Sequence, residues 1–175
     1  MSRKIEVVPY NPAWPHLFEE EKACLKQALP DELVVSVVHI GSTSVPRLAA
    51  KPIIDICLIV EDIAELDKYQ EVMAEIGYES WGAYGLPGRR YFPKGGDQRS
   101  HHIHAYQFDN LSEIGRHIAF RDFLRNHREI ASTYGEIKQT AAAAYPEDIE
   151  SYGDYKDEFV KKVEKEALKW LWLNK

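Results

Sequence analysis

The run Ile53-Ile54-Asp55-Ile56-Cys57-Leu58-Ile59-Val60 constrains this chain more than any other feature. A short segment rich in Ile and Val reads as a buried strand. Its one carboxylate must then be solvated from an open cleft, bound to a cation or protonated, because an unpaired buried carboxylate costs several kcal/mol. Asp55 is therefore a candidate site residue on chemistry alone. Upstream, Leu33 to Ile40 reads as a second strand and ends in Gly41-Ser42, where backbone N–H groups and a hydroxyl allow close approach of a phosphate.

Alternate side chains of a strand share a face, so Asp55 and Cys57 point together, away from Ile54, Ile56 and Leu58. The same holds for His102 and His104 in the strand read over His101 to Phe108. If these strands are neighbours, one carboxylate, one thiol and two imidazoles converge, a set better suited to zinc or another transition metal than to magnesium. The plain alternative is that Cys57 is a small buried hydrophobe and the histidines make only structural hydrogen bonds. Arg47, Lys51, Arg89, Arg90, Lys94 and Arg99 flank the strands and would form one basic mouth. A nucleotide or another phosphorylated small molecule is its natural occupant, with simple surface solvation as the alternative.

The rest of the chain reads as a mixed α/β order. Ile5 to Val8 is a short candidate strand. From Pro12 a helix carries Trp14, Leu17, Phe18, Cys24, Leu25 and Leu29 on its apolar face, and another helix surrounds Ile63, Leu66, Met73 and Ile76. Gly82 to Gly96 reads as a mobile loop or hairpin, and Arg89 to Phe92 pairs with His101 to Phe108 across Gly95-Gly96-Asp97. From Leu111 the pattern is helical, dividing at Asn126-His127 and Tyr145-Pro146 into three helices. The last buries Tyr152, Tyr155, Phe159, Val163, Ala167, Trp170 and Leu171, and its lysines 161, 162, 165 and 169 form a solvated face. Trp170-Leu171-Trp172-Leu173 could cap its own core or bury a partner surface, and packing on its own core is the favoured reading for so small a domain. The length suits one domain over residues 1–175, with a sheet-containing core to about residue 110 and a helical part from 111 to 175.

Charge and cysteine usage narrow the setting. A formal charge of -6 argues against global affinity for nucleic acid or an anionic membrane. Cys24 and Cys57 cannot build a disulfide framework, and a reducing cytoplasm is the expected home. The start, Met1 to Glu6, leads to Pro9 instead of an apolar signal region, and no apolar run is long enough to span a membrane. Oligomeric state is not fixed by the sequence.

Five segments together resemble the GrpB family of the nucleotidyltransferase superfamily. They are Tyr10-Asn11-Pro12-Ala13-Trp14, the block from His39 to Ile56, His102-Ile103-His104, Phe120 to Arg125, and Tyr155-Lys156 with Phe159. The resemblance implies a mixed sheet flanked by helices, Gly41-Ser42 as the phosphate-side turn, and Asp55 as the first metal-binding, catalytic carboxylate. It also implies a divalent ion, magnesium for nucleotidyl transfer, held by carboxylates in an Asp-x-Asp or Asp-x-Glu pattern. This chain departs from that pattern: Cys57 stands at the second position, and His102 or His104 occupies the region of a third carboxylate. Three functions follow as expectations. The first is nucleotide transfer to a small molecule or protein; the second is a transition-metal protein or hydrolase using Asp55, Cys57, His102 and His104. The third is a non-catalytic nucleotide- or phosphate-binding module.

Overall fold

Val and Ile dominate the strands over residues 34–40 and 54–60, where branched side chains pack well on a pleated, half-buried surface, and two further strands complete the sheet. In the structure, a computed structural model describing residues 4–174, they form a four-stranded mixed sheet. Its strands are β1 (Val34–Ile40), β2 (Ile54–Val60), β3 (Arg89–Lys94) and β4 (His101–Gln107), in the order β1-β2-β4-β3. The central pair β2 and β4 is parallel, and both outer pairs are antiparallel. This parallel register sets Asp55 beside His102 and Cys57 beside His104. The two strands are neighbours, as the paired histidine argument required.

One sheet face packs on α1 (Trp14–Ala28), α2 (Ile63–Leu66) and α3 (Gln70–Glu75). Its core includes Ile56, Leu58 and Ile103, all fully buried. Each such side chain contributes about 1.5–3 kcal/mol. The opposite face meets α4 (Leu111–Asn126), through Ile40, Cys57, Ile59, Tyr106 and Ile114. Two further helices, α5 (Arg128–Ala144) and α6 (Ile149–Leu173), pack with α4 in a second core around Phe123, Leu124, Tyr134 and Val163. Asn110 caps α4 by accepting from the Glu113 N–H, and Asp148 caps α6 by accepting from the Ser151 N–H.

Several local expectations change. Ile5 to Val8 is no strand; Val8 makes a single bridge with Ala50, and Ile5 packs under α5 and α6. The helix expected around Ile63 to Ile76 is broken into α2, a 3-10 turn at Asp67–Tyr69 and α3. On α1, Leu17 is exposed and Cys24 half-buried, while Glu21 is buried. On α6, Tyr155 is exposed; Trp170 and Leu171 pack on the second core, whereas Trp172 and Leu173 stand in solvent. Lysines 161, 162, 165 and 169 are exposed as expected. Met1–Arg3, part of the start read above, lie outside the described residues. Among the described residues, no helix is long and apolar enough to cross a membrane.

Candidate functional site

Strand β1 ends where Gly41 takes φ +74, in the left-handed region that favours glycine. A Cβ at this position would stand 2.6 Å from Asp55 Oδ2, so the absent side chain is what lets the turn lie against the carboxylate. Ser42–Ser44 then forms a 3-10 turn held by several bonds. Thr43 Oγ1 pairs with His39 Nε2 at 2.9 Å, and Ser44 Oγ donates to the Gly41 carbonyl. From α4, Arg121 donates to the His39 carbonyl at 3.1 Å and Arg125 to the Ser44 carbonyl at 2.9 Å. These arginines clamp the turn from outside and leave its inner side to the cleft.

Asp55 faces His104 Nε2 at 3.4 Å and His102 Nδ1 at 3.6 Å, both from the same oxygen, Oδ1. Burial pushes this carboxyl upward, but hydrogen bonds and charge from the two histidines outweigh it and hold the group well below the usual carboxylate range. Behind His104 lies His117 of α4, with rings 5.3 Å apart, and His117 Nε2 pairs with the Tyr106 hydroxyl at 3.0 Å. Burial holds His117 down at about 3, so it remains neutral at ordinary pH.

In front of Asp55 opens a cavity of about 310 Å³ between the sheet and the helical part. Gly41, Ser42 and Asp55 line one side, and Tyr134 and Lys138 of α5 with Tyr152 and Lys156 of α6 line the other. Lys51 and Lys156 place their ammonium groups 5.2 and 5.5 Å from the Tyr152 ring centre. Lys138 lies 4.4 Å from the Tyr134 ring centre, is 3% exposed, and has no hydrogen-bond partner. Burial, then repulsion from Lys156 and Lys51, pulls its amine down to about 6.

The expected four-ligand set does not form. Cys57 shares a face with Asp55, but is fully buried among Ile40, Ile59, Tyr106 and Ile114, and burial pushes its thiol up to about 12. It packs as a hydrophobe, since a metal ligand must be the thiolate. Among the described residues, no group of three or more His, Cys, Asp and Glu is placed to hold a metal ion. Glu164 also borders the cavity, but is engaged by Arg116 at 3.1 Å. These donors do not fit the carboxylate-held magnesium ions of nucleotidyl transfer, which require several oxygen ligands.

The expected basic mouth is also rearranged. Of its residues only Lys51 lines the cavity. Arg99 reaches the back of His102 at 3.3 Å and stacks over Trp81. Arg90 is bound to Asp67 at 2.7 Å, Arg89 to the carbonyls of Ala83 and Tyr84, and Lys94 to Glu21 at 3.0 Å. Arg47 borders a separate hollow with Pro46 and Arg125. Lys138, Lys156, Arg116 and His117 escaped sequence reading because helical lysines and arginines normally face water. The available signal was Lys138 itself, placed at the spacing of the buried residues Tyr134, Ala141 and Ala142 of α5.

Comparisons with known proteins give the family and the fold. The family model described as GrpB protein matches residues 4–166. The chain belongs to the GrpB family. Among GrpB relatives, UPF0157 protein YqkA of Bacillus subtilis is 44% identical over 168 residues. That alignment covers 96% of this chain but 48% of YqkA, so the chain spans about half of that relative's length. Glutamate-rich protein GrpB of Alkalihalophilus pseudofirmus is 31% identical over 167 residues, covering 91% of this chain and 94% of that protein. The crystal structure of conserved protein GrpB from Enterococcus faecalis superposes with a TM-score of 0.92 at 54% identity, covering 95% and 99% of the two chains. The Cid1 poly(U) polymerase structure with magnesium and 3'-dATP gives a TM-score of 0.51 at 13% identity, over 76% of this chain and 41% of that one. The GrpB chain thus has a nucleotidyltransferase-like fold, as the sequence resemblance implied.

Proposed function

We propose that the cleft binds the phosphates of a nucleotide or of another phosphorylated small molecule, over the Gly41-Ser42 turn and between Lys51, Lys138 and Lys156. The observation that carries this reading is Lys138: a buried amine without a hydrogen-bond partner, aimed into the cavity that also contains Gly41, Ser42 and Asp55. Leaving such a group unpaired costs free energy that an anion would recover. The net charge of -6 supports a small ligand over a nucleic acid strand. Two free cysteines support a reducing, cytoplasmic setting. The sheet and the helical part form one functional unit in this reading, because both supply walls of the cleft.

Thermal-shift titration with ATP, GTP, CTP, UTP and inorganic pyrophosphate tests the reading. At least one should stabilise the wild type, and Ser42→Ala and Lys156→Gln should weaken that response. Absence of a shift with all five, with and without magnesium, would overturn it.

A second reading, nucleotidyl transfer, is favoured by the position of Asp55 against Gly41 in a nucleotidyltransferase-like fold. It predicts label transfer from one nucleotide to an acceptor, abolished by Asp55→Asn in a protein that remains folded. If binding occurs and no label is transferred from any of the four nucleotides, the binding reading alone stands.

A further inference from the structure

We infer that Lys51, Lys138 and Lys156 neutralise the ligand's phosphates in place of divalent ions, and that Lys138 takes up a proton from solvent as the phosphate enters. This rests on the phosphate-binding reading and specifies its charge balance. Where carboxylates hold metal ions, those ions supply the positive charge that phosphates need. Here the supply is inverted. Asp55 Oδ1 is already shared by His102 and His104, Cys57 lies in an apolar cluster, and Glu164 is spent on Arg116. Arg116 is in turn consumed by Glu113 and Glu164. Lys51, Lys138 and Lys156 all line the cavity that contains Gly41-Ser42, and Lys51 and Lys156 lean over one tyrosine ring.

Lys138 is distinct from the other two. It lies deep between α5 and α6, with Tyr134 beneath its amine. The charged groups around its cavity are Lys51, Asp55 of β2, Lys156 and Glu164 of α6, and Arg116 of α4. The titratable rings are His102 and His104 of β4, His117 of α4, Tyr134 of α5 and Tyr152 of α6. Asp55 favours a charged amine; Lys156 and Lys51 oppose it, and so does burial. An arriving phosphate adds negative charge next to the amine and shifts that balance toward the ammonium. Proton uptake and ligand binding are then one linked event.

Calorimetric titration of the full chain with inorganic pyrophosphate and with ATP tests both halves. It is run at about pH 7.5 in two buffers of different ionisation enthalpy, with EDTA or with excess magnesium. Affinity in EDTA should lie within about threefold of that in magnesium, with uptake of about one proton. Lys138→Met should lose about tenfold or more in affinity together with the proton uptake. Lys138→Arg, permanently charged, should bind without uptake, and Lys156→Gln, at a half-buried position, should bind more weakly with uptake intact. Binding that appears only with magnesium overturns the lysine-for-metal assignment and leaves the phosphate reading standing. Uptake that persists in Lys138→Met puts the proton on another group and overturns the second half. Absence of binding in either condition fails the phosphate reading itself.

Discussion

Two carboxylates, Glu21 buried and Asp55 half-buried, meet opposite faces of one sheet and the consecutive residues His101 and His102 of β4, yet only Asp55 opens onto a cavity. On the α1 face, Glu21 accepts from the Tyr78 hydroxyl at 2.6 Å and from Lys94 at 3.0 Å, with His101 at 3.7 Å. This network is closed. On the α4 face, Asp55 meets His102 and His104 and looks across open space at Lys138. Among the described residues, the buried side-chain atoms without hydrogen-bond partners are His104 Nδ1 and Lys138 Nζ, both at the cleft. Buried charge alone therefore does not mark a site; buried charge beside unmet hydrogen-bonding capacity does.

Acid should erase the contrast and give the largest effect. His39 stacks on Phe18 at the α1 face, and His117 sits at the cleft face; burial holds them at about 4 and about 3, below the ordinary 6.5. Below about pH 6.5 the unfolded chain binds protons that these folded rings refuse, so stability falls as pH drops toward 4. The slope should approach about 1.4 kcal/mol per pH unit for each ring. Urea unfolding across this range checks it, and His117→Phe should flatten the curve. A flat wild-type profile contradicts the burial of both histidines.

Glu21→Ala should sharpen the comparison, destabilising by about 3 kcal/mol or more because Tyr78 and Lys94 lose their partner, with ligand affinity unchanged among the molecules still folded. Lys138→Met should do the reverse. Its removal of an unpartnered buried amine should raise stability by about 1 kcal/mol in denaturant titrations while ligand affinity falls about tenfold or more. The smallest effect belongs to Cys57→Val, expected to shift unfolding by less than about 1.5 kcal/mol and leave the ligand response intact. Loss of that response would return the thiol to the site.

β1, β2 and the three-helix tail were legible because Val/Ile runs and helical periodicity are local signals, and the β3–β4 hairpin because Gly95-Gly96-Asp97 marks its turn. Asp55 was legible because its flanks are so apolar, and Gly41 because close backbone approach needs a residue without Cβ. The lysine wall was not. Its members come from a loop and two helices, and the one local sign, Lys138 at the spacing of the buried residues of α5, does not say what the amine faces. The arginines near the β3–β4 hairpin misled for the complementary reason: proximity in sequence concealed partners such as Asp67, which Arg90 reaches from 23 positions away. Cys57 shows that sharing a strand face with Asp55 does not amount to sharing its cavity, since α4 seals that face two residues beyond the carboxylate.

The strand order carries a consequence for how the molecule is made. β1 pairs with β2, and β3 with β4, as two antiparallel units, each available to form early from its own stretch of chain. Asp55 belongs to the first unit, His102 and His104 to the second, and they meet only when β2 and β4 dock in parallel. Lys156 arrives with the final helix. A chain emerging from the ribosome thus completes its sheet hairpins before the walls of the cavity around Asp55 are assembled.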